Sequence, residues 1–325
     1  MSAFVTAWKV SRYLPVPVIK SVAAAGAWVA WLAHGSVIHT LEGNLNRVTG
    51  VEGRALRRMS RKAMASTARY YAETFELGRI DLSVIDARVR AINIQPQIEA
   101  LEKDKHLVIV LGHSGNWDVA GAYTCRNIGP VTSVAEVLKP REVFDEFVGM
   151  REKVGMRILG HEGSSTYRRL VSIARHEPGV IALLADRDLT GEGIPVPFAG
   201  NRARVAPGPA ALALASNCAI VPLAVHYERI YGERRKAAKS RWGIVMHFGP
   251  FVPIPTEGTK PEKVKVISAQ WAKWIGEQVQ AHPEDWHMLQ RFGWVDDEVL
   301  GEGSGEDAMA SPATGSHTVD RDSQD

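Results

Sequence analysis

The chain has 325 residues, 39 basic and 36 acidic side chains and a formal net charge of +3, with 45% hydrophobic and 23% charged residues; this balance excludes a disordered or fibrous chain and allows a sizeable core. Its two cysteines, Cys125 and Cys218, lie in separate apolar segments without metal or redox spacing, which argues against a disulfide framework and for buried thiols in a reducing compartment. The last 25 residues hold six acids and one base, so the remainder carries 38 bases and 30 acids, a net +8 that suits a membrane surface, coenzyme phosphates or another anionic partner.

Residues 1–41 are apolar and poor in acid, with Trp8, Lys9, Arg12, Tyr13 and Lys20 ahead of the run 21–33. That run of about 13 residues is short of the roughly 20 needed to span a bilayer. The expectation is one or two amphipathic helices on an anionic membrane surface, with Trp28 and Trp31 near the interface and the bases toward headgroups; a helix packed on the core is the competing reading. Segment 42–61 is polar and rich in arginine (Arg47, Arg54, Arg57, Arg58, Arg61), suiting either a solvated helix face or contact with an acidic headgroup. A helical pattern follows over 64–78, and 83–101 reads as a short helix and a strand.

The apolar run 107–111 predicts a buried strand, and 119–126 a helix, with Gly112-His113-Ser114-Gly115-Asn116-Trp117-Asp118 as the turn between them. On one helix His113 and Asp118 would stand about 140° apart, so they cooperate only if His113 sits in the turn and Asp118 folds back from the first helical turn. Asp118 would then fix the imidazole tautomer and leave the other ring nitrogen as a general base. A capping turn with an incidental histidine is the alternative.

Beyond this turn the chain alternates: strand 131–135, helix 141–154, strand 156–159, helix 164–177 and strand 180–185. Helix 209–216, strands 219–227 and 243–248 and helix 262–280 follow. Such alternation predicts an α/β fold, a single domain with a central, mostly parallel sheet flanked by helices over residues 42–300. From 301 to 325 the chain turns to Gly, Ser, Ala, Thr and acids without periodicity and reads as a disordered tail. Glu136 and the cluster Asp186-Arg187-Asp188 end strands as His113 does, so a parallel sheet would gather all three turns at one edge. Charges there need a ligand or one another, for instance Asp186 or Glu136 with Arg151. The basic stretch 229–241 reads either as an anion-docking loop or as a solvated hairpin tip. Trp286, Trp294 and His287 read as core or interfacial.

The ordered motifs HSGNWD (113–118), AEVLKP (135–140), DRDLTGEGIPVPFAG (186–200) and PEDWHMLQ (283–290) resemble the lipid A lauroyl/myristoyl-type branch of the lysophospholipid acyltransferase superfamily, most of all its phosphatidylinositol mannoside acyltransferases. The resemblance spans roughly residues 10–295 and also takes in the Asn-Leu-x-Arg-Val piece at 44–48. It implies His113 as general base and Asp118 as its orienting partner. It further implies that Glu136, Arg151 and the acid of the x-R-D-L-T motif line the site, with Glu192 and Arg204 matching positions near the acyl donor and the loop edge. That last acid is a glutamate in the mannoside-lipid relatives and Asp186 here. One methylene shorter, it leaves direct contact with His113 in doubt and makes a bridging water plausible.

The implied reaction is transfer of a fatty acyl chain, palmitoyl by expectation, from acyl-CoA as co-substrate to a mannose hydroxyl of a phosphatidylinositol mannoside at the cytoplasmic face of the membrane. No covalent intermediate, cofactor or metal is expected: a G-x-S-x-G elbow and a third zinc ligand at standard spacing are both missing. Two alternatives stand beside it, the same chemistry on another glycolipid or a lysophospholipid, and a non-catalytic lipid-binding membrane protein. Nucleic acid is not an expected partner, because the aromatics are not interleaved with the basic stretches in a stacking pattern and no nucleic-acid motif appears.

Overall fold

The computed structural model describes residues 14–139, 141–188 and 191–295; the expected tail at 301–325, with Trp8, Lys9 and Arg12, lies outside them. Three helices open the described chain: α1 (Val16–Ala33), α2 (Ser36–Thr49) and α3 (Gly53–Leu77). Pro15 ahead of α1 supplies a pre-set φ and lacks the amide proton a first turn leaves unused. The helix therefore starts well before the apolar run, and its 18 residues make it, by length and composition alone, long and apolar enough to cross a membrane. That corrects the expectation of a segment too short to span. One edge of α1 is tied to α3: Trp31 donates its indole N–H to Ser60 Oγ at 3.0 Å, and Lys20 pairs with Glu76 at 2.9 Å. The rest stays uncovered, with Val18, Val22, Trp28, Val29 and Leu32 exposed. Helix α2 runs through residue 41 without a break and buries Ile38, Leu41, Leu45 and Val48.

The body continues through α4 (Leu82–Arg88), β1 (Val89–Ile92), α5 (Gln95–Asp104), β2 (His106–Leu111), α6 (Trp117–Asn127), β3 (Val131–Ala135), α7 (Arg141–Lys153), β4 (Met156–Gly160), α8 (Ser164–His176) and β5 (Gly179–Leu184). A hairpin of β6 (Ile194–Phe198) and β7 (Asn201–Val205) comes next, then α9 (Gly208–Ser216), β8 (Ala219–Arg229), α10 (Gly232–Ala237), β9 (Trp242–Phe248), α11 (Lys260–Ala281) and a 3₁₀ turn at Pro283–Asp285. Seven strands form one sheet in the order β1-β9-β8-β2-β5-β3-β4, parallel except for the β8–β9 pair.

Strand β2 lies at the centre and explains why 107–111 reads as an unbroken apolar run. Successive side chains point to opposite faces and both faces are covered: Leu107, Ile109 and Leu111 enter one buried cluster, Val108 and Val110 the other. Burying each such side chain contributes about 1.5–3 kcal/mol. The hairpin turn Ala199-Gly200 has both φ values positive, at 49° and 74°, as a tight two-residue turn requires. It presses on α11 where Gly276 lies, and a Cβ there would run into the Ala199 backbone. The basic stretch 229–241 is a short helix rather than a bare tip. Arg234 is absorbed into the fold, donating to Glu228 Oε1 at 2.6 Å and to the Ala87 carbonyl at 2.9 Å.

Candidate active site

Because β2 and β5 are parallel neighbours with Leu111 opposite Leu184, the two chains leave the sheet side by side, and His113 and Asp186 stand two residues past that pair. Asp186 Oδ1 lies 2.6 Å from His113 Nδ1, and Oδ2 accepts the His113 backbone N–H at 3.0 Å and the Trp286 indole N–H at 3.0 Å. The contact is direct, where the shorter aspartate side chain suggested a bridging water. Burial alone would raise this carboxyl, but His113 and the three hydrogen bonds hold it below the ordinary carboxylate range. As an ionised acceptor, Asp186 has no proton to give, so Nδ1 carries the hydrogen and Nε2 is left with a lone pair. Asp186 is fully buried, whereas 27% of the His113 side chain is exposed.

Asp118 does not fold back onto the imidazole, and this corrects the expected pairing within His-x4-Asp. Asn116 caps α6 by accepting the Val119 N–H at 3.0 Å, so Asp118 enters the first helical turn and points beneath α3. There Oδ1 accepts Arg151 Nε at 2.7 Å, while Oδ2 takes the Tyr70 hydroxyl at 3.1 Å and that of Thr74 at 3.4 Å. Arg151 is thus paired with Asp118, not with Asp186 or Glu136. Burial works against the guanidinium charge, yet Asp118 and Tyr70 keep its pKa above the ordinary value. Burial, and Asp118 beside it, push the Tyr70 phenol well above its usual range, so it stays protonated and donates.

A second buried network holds the turn from below. Glu73 pairs with Arg88 through one oxygen, while the other accepts Asn116 Nδ2 at 2.8 Å and the Tyr227 hydroxyl at 3.0 Å. Gly115 has φ of 61°, and a Cβ there would lie 2.6 Å from the Val225 carbonyl, so the turn requires glycine. From the other side the chain after α11 crosses the turn. Gly115 donates to the Asp285 carbonyl and His287 to the His113 carbonyl, each at 2.8 Å, and Ser114 bridges Trp286. The 44–48 piece anchors that crossing segment: Asn44 donates to the carbonyls of Met288 at 3.0 Å and Gln290 at 2.9 Å.

His113, Asp118, Glu136 and Arg151 line a cleft of about 340 Å³, together with Trp117, Arg187 and His287. Leu138, Phe144, Phe147, Met156, Ile158 and Leu184 supply much of its apolar lining. Glu192 and Arg204 do not line it. Arg204 lies on the β6–β7 hairpin, where it donates to the Gly193 carbonyl at 3.0 Å. Arg187 has no hydrogen bond or ion pair with any described residue. The Trp117 ring stands edge-on to His113, 5.5 Å between centroids. His287 is pushed down to about 3 by burial, with Arg69 and His113 adding to it, so it stays neutral beside the cleft. Sequence reasoning passed over Glu73 and Tyr70, which carry no local signal, and left Arg187 and Trp286 without a role in the site, although Arg187 stands in the strand-end cluster 186–188 and Trp286 in the PEDWHMLQ motif. Among the described residues, His34, His39 and Glu42 gather three potential metal-ligating atoms within 4.8 Å of one another; none lines the cleft, and Glu42 is already engaged by Ser60 at 2.6 Å and Arg57 at 3.1 Å.

The chain is similar over most of its length to known proteins. The chain is 32% identical over 296 residues to the phosphatidylinositol mannoside acyltransferase of Mycolicibacterium smegmatis, covering 90% of this chain and 91% of that protein. It is 30% identical over 292 residues to the protein of the same name in Mycobacterium tuberculosis, covering 89% and 86%. The crystal structure of the 1-acyl-sn-glycerophosphate acyltransferase of Thermotoga maritima shares 13% identity at a TM-score of 0.36, over 80% of this chain and 99% of that one, a likeness from which nothing further follows. The family model described as bacterial lipid A biosynthesis acyltransferase matches residues 1–292, and the chain belongs to that family.

Proposed function

We propose that the protein transfers a fatty acyl chain, palmitoyl by preference, from acyl-CoA to a mannose hydroxyl of a phosphatidylinositol mannoside, working as a peripheral protein on the cytoplasmic face of the membrane. The observation that carries this reading is the His113–Asp186 pair, an imidazole with one nitrogen tied to a buried carboxylate and the other free, at the wall of a half-apolar cleft. The names of the mycobacterial relatives supply the acceptor class.

His113 Nε2 takes the proton of the sugar hydroxyl as its oxygen attacks the thioester carbonyl. The new C–O bond gives a tetrahedral oxyanion. Collapse breaks the C–S bond, and the imidazolium returns its proton to the departing thiolate, so the products are the ester and free coenzyme thiol. Asp186 stabilises the imidazolium throughout. Arg151 is committed to Asp118, which leaves Arg187 as the cleft cation available to substrate negative charge. The apolar lining from Leu138 to Leu184 suits the acyl chain, and the exposed apolar side chains of α1 suit a membrane surface.

Mass spectrometry of products after incubation with palmitoyl-CoA and a panel of acceptors tests the reading. An ester formed on the mannoside lipid and abolished in His113→Ala is expected. Acylation only of another glycolipid or a lysophospholipid would move the acceptor assignment. Neither transfer nor acyl-CoA hydrolysis would favour a non-catalytic lipid-binding protein.

A further inference from the structure

Trp286 is an unusual side chain to find touching a catalytic pair. It is fully buried, packs edge-on against Phe292 at 4.9 Å between centroids, and reads from the sequence as core or interfacial. Yet its one polar atom is not spent on a backbone carbonyl. The indole N–H is directed at Asp186 Oδ2, the oxygen that also receives the His113 backbone N–H. With Oδ2 doubly occupied on one side, Oδ1 faces the imidazole, and the carboxylate has no freedom to rotate away from it. The segment carrying Trp286 is itself fixed to the same turn. His287 and Asp285 bond the backbone of His113 and Gly115, and Asp285 is held in turn by the Ser66 hydroxyl at 2.6 Å and the Tyr227 N–H at 2.8 Å.

We propose that Trp286 is a positioning residue for the acyl-transfer reaction, a third member of a Trp286–Asp186–His113 chain in which the indole N–H sets the orientation of the carboxylate that orients the base. The inference rests on the reading of His113 as general base. A buried donor to a charged acceptor contributes more than a neutral hydrogen bond, and here the geometry of a 2.6 Å contact depends on it. The remaining ionisable side chains lining the cleft are Tyr70, Tyr71, Asp118, Glu136, Arg151, Arg187 and His287; none of them bonds Asp186.

Two variants separate the hydrogen bond from the packing. Trp286→Phe removes the N–H and some volume. Site-specific replacement of Trp286 by 3-benzothienylalanine keeps the bicyclic shape and replaces N–H by sulfur, so it is the control should the first variant fold poorly. Each is assayed for kcat and for KM toward palmitoyl-CoA, and each is examined by proton NMR for the strongly downfield signal of the His113 Nδ1–H. The expected result for the sulfur analogue is a kcat lower by about tenfold to a hundredfold, the scale of one hydrogen bond to a charged group. KM should be nearly unchanged, and the downfield proton should be displaced or broadened. A lower melting temperature with unchanged kcat and an unchanged downfield proton would overturn the proposal and leave Trp286 as packing. Failure of the underlying reading has a different signature: His113→Ala would retain turnover, while the downfield proton of the wild type would still respond to the sulfur analogue.

Discussion

At the scale of single residues, the site separates two jobs that the His-x4-Asp spacing alone would join. Asp186 serves the imidazole, and Asp118 serves Arg151 and Tyr70. His113→Ala should therefore lower transfer by about 10²- to 10⁴-fold with the fold intact, as loss of a general base does; turnover near the wild-type rate would remove His113 from the mechanism. Asp186→Asn should cost a similar factor for a different reason. An amide turned to donate toward Nδ1 moves the imidazole hydrogen to Nε2, the nitrogen that has to accept the substrate proton. Asp118→Asn should show first in stability. It weakens the partner of a nearly buried guanidinium, and breaking such a pair outright costs about 3–5 kcal/mol. Thermal unfolding beside turnover per folded molecule distinguishes the two aspartates: Asp186→Asn changes mainly the rate and Asp118→Asn mainly the melting temperature. The reverse pattern would return Asp118 to the role that its spacing suggested.

At the scale of elements, legibility followed the physics of each signal. Alternating strands and helices from residue 107 to 184 could be read because a doubly covered parallel sheet demands continuous apolar strands and amphipathic helices. The β6–β7 hairpin escaped notice, since Pro195 and Pro197 stand in a run that no central strand would accept; as a two-stranded ribbon it tolerates them. His113, Glu136 and Asp186 could be placed at one sheet edge from strand ends alone. Which acid meets the histidine could not, because that depends on the register of β2 with β5. Glu73 and Trp286 lie 40 and more residues from the turn they support, with no local pattern to connect them. Helix α1 is longer than the apolar run 21–33 because it begins at Val16, ahead of Lys20, whose charge is met by Glu76 of α3. Its uncovered side chains carry a prediction: Trp28→Ser combined with Leu32→Ser should weaken binding to anionic vesicles by about tenfold or more, each apolar side chain being worth about 1.5–3 kcal/mol when fully buried and part of that at a membrane surface. High salt should weaken it further. Vesicle sedimentation measures both. Resistance of the wild type to salt and to alkaline carbonate extraction would instead show a helix crossing the bilayer.

At the scale of the whole molecule, the fold buries titratable groups whose protonation it resists, and this sets a direction for acid stability. His287 is held down to about 3 by burial, Arg69 and His113, and His226 to about 4 by burial together with His282 and Arg90. His226 also stacks on His282, 3.7 Å between ring centroids. In the unfolded chain both would titrate near the ordinary histidine value of about 6.5. Below that pH the unfolded chain binds protons that the folded chain refuses, so stability is present above about 6.5 and is lost as the pH falls toward 4. A fully effective group contributes at most about 1.4 kcal/mol per pH unit. His287, the more deeply buried, thus accounts for roughly 2 kcal/mol between pH 6.5 and 5.0, and His226, in partial contact with water, for less. Asp186, whose pKa is lowered, loses its contribution only further down the scale, as the pH falls through its folded value. Asp285, raised mainly by burial, acts in the opposite sense: it favours the folded state on the acid side, and that share is lost as the pH rises through its folded value. The melting temperature should accordingly fall by about 3 °C or more from pH 7.5 to 5.0, given roughly 1.5–2 °C per kcal/mol for a chain of more than 250 residues. His287→Gln, which has no proton to gain, should lose a large share of that dependence while keeping the His226 part. Scanning fluorimetry at the two pH values on wild type and variant gives the answer, and an equal fall in both would show that the acid sensitivity originates elsewhere than at His287.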